Sequence, residues 1–65
     1  MDLHKLKVII FAKKKTYVEC AEAIGISVTA FNSKMNDRSK FKVTELKALA
    51  DFLKMSSDEL WSVLS

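Results

Sequence analysis

Proline is absent, glycine occurs once at position 25, and cysteine once at position 20. With 49% of residues apolar and no proline among them, the composition fits compact helical packing and argues against disorder. A single cysteine excludes an internal disulfide and suits a reducing cytoplasm, so Cys20 reads as a small buried hydrophobe rather than a nucleophile. No apolar run approaches the length of a membrane span and no secretory pattern leads the chain, so the expectation is a cytoplasmic protein without a membrane partner. His4, the sole histidine, has no cysteine or second histidine at ligand spacing, which leaves no metal site. There is no carboxylate pair in an apolar setting, no nucleophile beside a base and no phosphate-cradling glycine loop. The expectation is therefore a non-enzyme without a cofactor. At 65 residues, the chain is one domain over 1–65, near the lower limit for a core that holds without disulfides or metals.

Negative charge is short in one half of the chain. Residues 1–42 carry nine Lys or Arg against Asp2, Glu19, Glu22 and Asp37, a surplus of five positive charges. Residues 43–65 carry Lys47 and Lys54 against Glu45, Asp51, Asp58 and Glu59, a surplus of two negative ones. Such polarity is what a polyanion-binding face needs, although solvated lysines are also ordinary surface.

The strongest local signals lie between Thr16 and Asn36. Thr16 with Glu19 three residues on is a capping-box pattern, so a helix starts there. Cys20, Ala21 and Ile24 share one face of it. Gly25 then falls where a helix end calls for a left-handed residue. Ile26 plugs the corner, and Ser27 caps a second helix from Val28 to about Met35 whose inner side is Ala30, Phe31 and either Lys34 or Met35. Ser27, Val28, Thr29, Asn32, Ser33 and Asn36 then face outward.

Three further helices frame this unit. The first runs from about Asp2 to Lys13 with Leu3, Leu6, Ile9 and Ile10 in one stripe, and leaves Val8 and Phe11 over. Either Phe11 folds over an edge and Val8 is a scattered exposed residue, or the two form a patch that docks another protein. The fourth helix begins near Thr44 as cap, with Leu46, Leu49, Ala50 and Leu53 inward. Ser57 caps the fifth, where Trp61 and its neighbours either close the core or make a dimer interface. Phe41, in the intervening loop Asn36 to Lys42, reads as an anchor that folds the loop onto the core rather than as a base-stacking platform, since single-strand binders present several aromatics together. The expected fold class is thus all-α, a compact five-helix domain.

Ala21, Gly25 and Phe31, flanked by Cys20, Ile24 and Ile26, resemble the helix-turn-helix of the Cro/repressor-type, lambda-repressor-like DNA-binding proteins. Leu6 and Ile9 look like that family's first-helix core pair. Val43, Leu46, Leu49, Ala50 and Leu53 look like its fourth helix, and Met55 to Leu60 (MSSDEL) like its entry to the fifth. The chain departs from the pattern at Ile10, where arginine is frequent, at Tyr17, where glutamine is, at Lys34, where an apolar residue is usual, and at Lys54, where glycine is.

The resemblance implies a lambda-repressor-like domain with helices 2 and 3 as the helix-turn-helix, and a regulator of the kind temperate phages and mobile elements use, with helix 3 in the major groove of double-stranded DNA. Its binding set would be Tyr17, Ser27, Val28, Thr29, Asn32, Ser33 and Asn36, with Tyr17 exposed at the head of helix 2 or else packed. Asn bonds adenine bidentately and Val28 suits a thymine methyl, so an A·T-leaning site is chemically reasonable. Lys13, Lys14, Lys15, Lys34, Arg38, Lys40 and Lys42 would contact phosphate. Some small phage regulators similar to this family instead modulate repression by binding a partner repressor. The short, mostly uncharged face of helix 3, Val28 at its head and the surplus Val8 and Phe11 motivate that alternative. The third possibility is a toxin–antitoxin or accessory subunit that gains DNA affinity only as a dimer, a homodimer included, since a monomer offers few contacts for tight specific binding.

Overall fold

A computed structural model describes residues 1–65 as five helices and no strand. They are α1 (Leu3–Ala12), α2 (Tyr17–Ile24), α3 (Val28–Met35), α4 (Val43–Phe52) and α5 (Ser57–Leu64). α2 packs against α3 and α4, α4 against α5, and α5 against α1. The Asp2 N–H donates to the Leu64 carbonyl at 2.8 Å, so the first and last helices are tied together. None of the helices is long and apolar enough to cross a membrane.

Each helix starts on a local side-chain signal. Asp2 Oδ1 accepts from the Lys5 N–H at 3.1 Å, and Ser27 Oγ from the Ala30 N–H at 3.1 Å. Thr16 and Glu19 form the full reciprocal box, at 3.1 and 2.9 Å. Two starts differ from the expectation. α4 begins at Val43 with Lys42 as cap, not at Thr44, because Glu45 Oε1 reaches back to the Lys42 N–H at 2.8 Å. α5 is capped by Ser56 rather than Ser57, since only Ser56 stands three residues before Glu59, and the two close a box at 3.0 and 3.2 Å.

The helix ends share one geometry. After α1, α2, α3 and α4, a residue in the left-handed region follows: Lys14 (φ 59°), Gly25 (φ 78°), Asp37 (φ 59°) and Lys54 (φ 58°). In each case the next residue's N–H bonds back across the last turn: Lys15 to Ile10, Ile26 to Ala21, Arg38 to Ser33 and Met55 to Ala50, at 2.8–3.1 Å. Three of these Schellman ends lack the glycine that conformation favours.

The core takes Leu6 and Ile10 from α1, Cys20 and Ala21 from α2, Phe31 and Met35 from α3, and Leu46, Leu49 and Ala50 from α4. Leu53, Leu60 and Leu64 complete it, and Leu3, Ile9, Ile24, Ile26 and Phe41 pack around it partly buried. Ile10 rather than Ile9 is the second deep residue of α1, one turn beyond Leu6 on the same face. Val43, aligned by the resemblance with core positions, is exposed at the first position of α4. Trp61 does not close the core: Leu60 and Leu64 fill that role, and the indole remains 56% exposed. Phe11 does not fold over an edge either; its ring is 82% exposed.

Candidate nucleic-acid interface

The three residues Gly25–Ser27 separate α2 from α3. Gly25 takes up the left-handed conformation, and Ile26 drops partly into the core, which aims α3 away from the axis of α2. A Cβ at Gly25 would meet nothing within 4 Å, so the turn depends on backbone freedom rather than on space. Phe31 is the floor beneath α3. Tyr17 and Phe41 meet its ring edge-on, with centroids 5.2 and 5.6 Å away.

The outward residues of α3 differ in what remains free. Val28, Thr29 and Asn32 are exposed and their side chains are uncommitted. Ser27 is exposed, but its oxygen already accepts the Ala30 N–H. The Asn36 amide donates to the Asn32 carbonyl at 3.0 Å, and Ser33 is half-buried. The accessible outer surface therefore narrows to Val28, Thr29 and Asn32, with Ser27 and Asn36 at its two ends.

Tyr17 packs rather than projects. Of the two placements open to its side chain, exposed or packed, the packed one holds: it is half-buried on Phe31, and burial, with a smaller push from Cys20, raises its hydroxyl pKa above the ordinary 10.0. The ring is thus more a brace for α3 than a free contact.

The cations also divide. Lys13, Lys14, Arg38 and Lys42 are exposed and have no ion-pair partner in the chain. Lys40 is exposed but pairs with Asp37 at 2.8 Å, and this contact holds the Asp37 carboxyl below its ordinary range. A pair so open to solvent is weak and releases its lysine readily. Lys15 folds back over the Phe52 ring, with Nζ 5.1 Å from the centroid.

Lys34 is a correction. The resemblance places it among the phosphate contacts, but its Nζ lies 3.3 Å from Glu45 Oε1 and donates to the Lys40 carbonyl at 2.9 Å. Met35 supplies the apolar contact of that last turn, so both residues turn inward. No free lysine stands on α3 itself.

Helix starts separate α3 from the other four. Asp2 caps α1, while Glu19, Glu45 and the Asp58–Glu59 pair lie in the first turns of α2, α4 and α5. Each of those starts holds a carboxylate of its own against the positive end of the helix dipole. α3 has a neutral serine cap and no acid in its first turn, so its start is electrostatically open.

Comparison of the chain with protein-family models, with curated proteins and with solved structures finds no match.

Proposed function

We propose that this chain is a small transcriptional regulator that binds double-stranded DNA through α3, with α2 and α3 acting as a helix-turn-helix. The observation that carries the reading is the surface of α3. It is the one helix that combines an uncompensated positive end with an outer face free of acidic side chains. Loops rich in unpaired cations lie close in sequence: Lys13 and Lys14 precede α2, while Arg38 and Lys42 follow α3. In this reading Thr29, Asn32 and Val28 meet base edges and the loop cations hold the backbone. The positive half of the chain supports it, and the resemblance to Cro/repressor-type proteins of temperate phages agrees.

Duplex affinity measured at rising salt tests this. Binding through several phosphates falls steeply as salt rises, and Lys42→Ala reduces the slope of log K against log salt by about one. Weak binding at low salt, or a slope untouched by Lys42→Ala and Arg38→Ala, would overturn the reading.

One observation favours a second reading, in which the same face binds a partner repressor protein. Val28 is 41% exposed at the head of α3, with no arginine beside it to fork onto guanine. A dry protein contact suits that position. Co-purification with a partner repressor, abolished by Val28→Asp, is the outcome this second reading expects.

A further inference from the structure

We propose that the groove between the second half of α1 and the start of α2 is a docking site for an amphipathic helix of a protein partner, carrying one bulky apolar side chain flanked by Asp or Glu. The proposal concerns a surface other than the outer face of α3 and does not depend on what α3 binds.

The groove has a volume of about 280 Å³. Ile10 and Tyr17 line it from the core side; Phe11, Lys7, Lys15 and Thr16 complete the walls. Two of its features have no use inside the chain. Phe11 is 82% exposed, though the core is complete without it, and Val8, three residues earlier on the same side of α1, is also exposed. Lys7, one turn before Phe11, has no ion-pair partner; Lys15, the other cation of the lining, has no acidic partner either and rests its ammonium 5.1 Å from the centre of the Phe52 ring. No acidic residue lines the groove.

Together these features specify the occupant. Unpaired lysines around an apolar notch are complementary to carboxylates around an apolar anchor. A sugar–phosphate backbone would satisfy the lysines but leave Phe11 and Val8 in water, so the apolar half of the surface favours a peptide over nucleic acid. The exposed stripe Lys7–Val8–Phe11 spans a little more than one turn of α1, a length matched by anchors at i, i+3 and i+4 of a partner helix.

The probe is a synthetic Ala/Glu helical peptide of about 16 residues, long enough to hold helix, with one central Trp flanked by Glu on both adjacent turns. Its controls carry Ala for Trp, or Lys for Glu. Added to the ¹⁵N-labelled chain, the acidic Trp peptide shifts amides of residues 7–17 at sub-millimolar concentration, and each control binds about tenfold more weakly. Phe11→Ser and Lys7→Glu, both at exposed positions that leave the core intact, weaken the acidic peptide by a similar factor, while Asn32→Ala leaves it unchanged. The proposal is overturned if 1 mM peptide moves no amide in this region, if the Ala control binds equally, or if Phe11→Ser is without effect. It also falls if a short DNA duplex moves the amides of residues 7–11, on α1 itself, as strongly as the peptide does and with an affinity indifferent to Phe11→Ser, since the groove would then be a polyanion site.

Discussion

Lys34 on α3 and Glu45 on α4 form the one ion pair that is nearly out of solvent: Nζ and Oε1 are 3.3 Å apart, and the side chains are only 12% and 10% exposed. The same Glu45 oxygen accepts the Lys42 N–H at 2.8 Å, and the same Lys34 nitrogen donates to the Lys40 carbonyl at 2.9 Å. Two side chains thereby fasten both the start of α4 and the cationic loop before it.

Removing one member strands the other with little water to replace it. Glu45→Ala therefore costs about 3 kcal/mol, a large share of the roughly 3–10 kcal/mol total of a domain this size. The double substitution Lys34→Met/Glu45→Gln removes both charges and keeps an acceptor for Lys42, so it stays within about 1 kcal/mol of the parent. Urea unfolding of the parent, Lys34→Met, Glu45→Gln and the double variant gives the coupling energy. A value under about 0.5 kcal/mol would mean the pair behaves like any surface contact.

Helix ends supply a second test, because four of them adopt one geometry with different residues. Lys14, Asp37 and Lys54 occupy the left-handed region where a side chain costs about 1–2 kcal/mol, partly offset by glycine's larger entropy loss. Lys54→Gly is expected to raise stability by about 0.5–1 kcal/mol, and Gly25→Ala to lower it by about 1 kcal/mol through conformation alone, since its Cβ meets no neighbour. Thermal unfolding checks both, with Lys14→Gly as a repeat of the first at another end. An unchanged or lower Tm for Lys54→Gly would show that the ammonium makes up for its strained backbone.

Alkaline pH should loosen the fold through two neighbours on α2. Burial, with the charge of Glu19, pushes the Cys20 thiol above its ordinary 9.0, against a smaller opposing effect of Lys15; burial, with Cys20, raises Tyr17 above 10.0. Both groups are neutral when protonated and both hold the proton more tightly in the folded chain. Their contribution is complete below the unfolded pKa values and is lost as pH rises through the folded ones. Stability is expected to be flat from neutral pH to about 8.5 and to fall above 9, with Cys20→Ala removing the earlier part of the fall and Tyr17→Phe the later part. Urea midpoints from pH 7 to pH 11 check this, and Cys20 should resist alkylation in the native state because its sulfur is inaccessible.

Features written in short-range chemistry were legible in the sequence. The Thr16–Glu19 box, the Gly25 turn and the Ser27 cap each need only residues within three positions, and all five helices follow from such signals with apolar spacing. The differences lie where two local caps compete, as at Lys42 and Thr44 or Ser56 and Ser57, or where distant partners decide. Lys34 reads as a surface cation until Glu45, eleven positions later, comes within 3.3 Å of it. Lys42 is a poor capping residue by type, and Thr44 a better one; only the reach of Glu45 back to the Lys42 N–H sets the start of α4. Tyr17 turns inward because Phe31 offers a ring edge, and Trp61 stays outside because Leu60 and Leu64 already fill the space between α1 and α4. Of the candidate site, the outer residues of α3 could be named from periodicity. The commitment of Ser27 and Asn36 to backbone groups, and the notch beside Phe11, required the packed chain. Lys7 and Phe11 at i, i+4 on the outer side of α1 were the available sign of that notch.

Under the proposed DNA reading, Asn32 and Lys42 should fail in different ways. The Asn32 side chain is exposed at the middle of α3 and hydrogen-bonded to nothing in the chain, so its amide is free for the paired donor and acceptor of adenine. Asn32→Ala is expected to weaken binding to a selected duplex by about 1–3 kcal/mol, to leave binding to unrelated duplexes unchanged, and to leave the salt slope intact. Lys42→Ala acts in the opposite sense, lowering affinity for all duplexes alike and reducing the slope. Selection from a random duplex pool at moderate salt, followed by titration of both variants, separates the two. Equal losses on selected and unrelated duplexes for Asn32→Ala would mean that α3 reads no base at this position. The uncharged face would then be better matched to a protein, and Val28→Asp against a partner repressor becomes the decisive measurement.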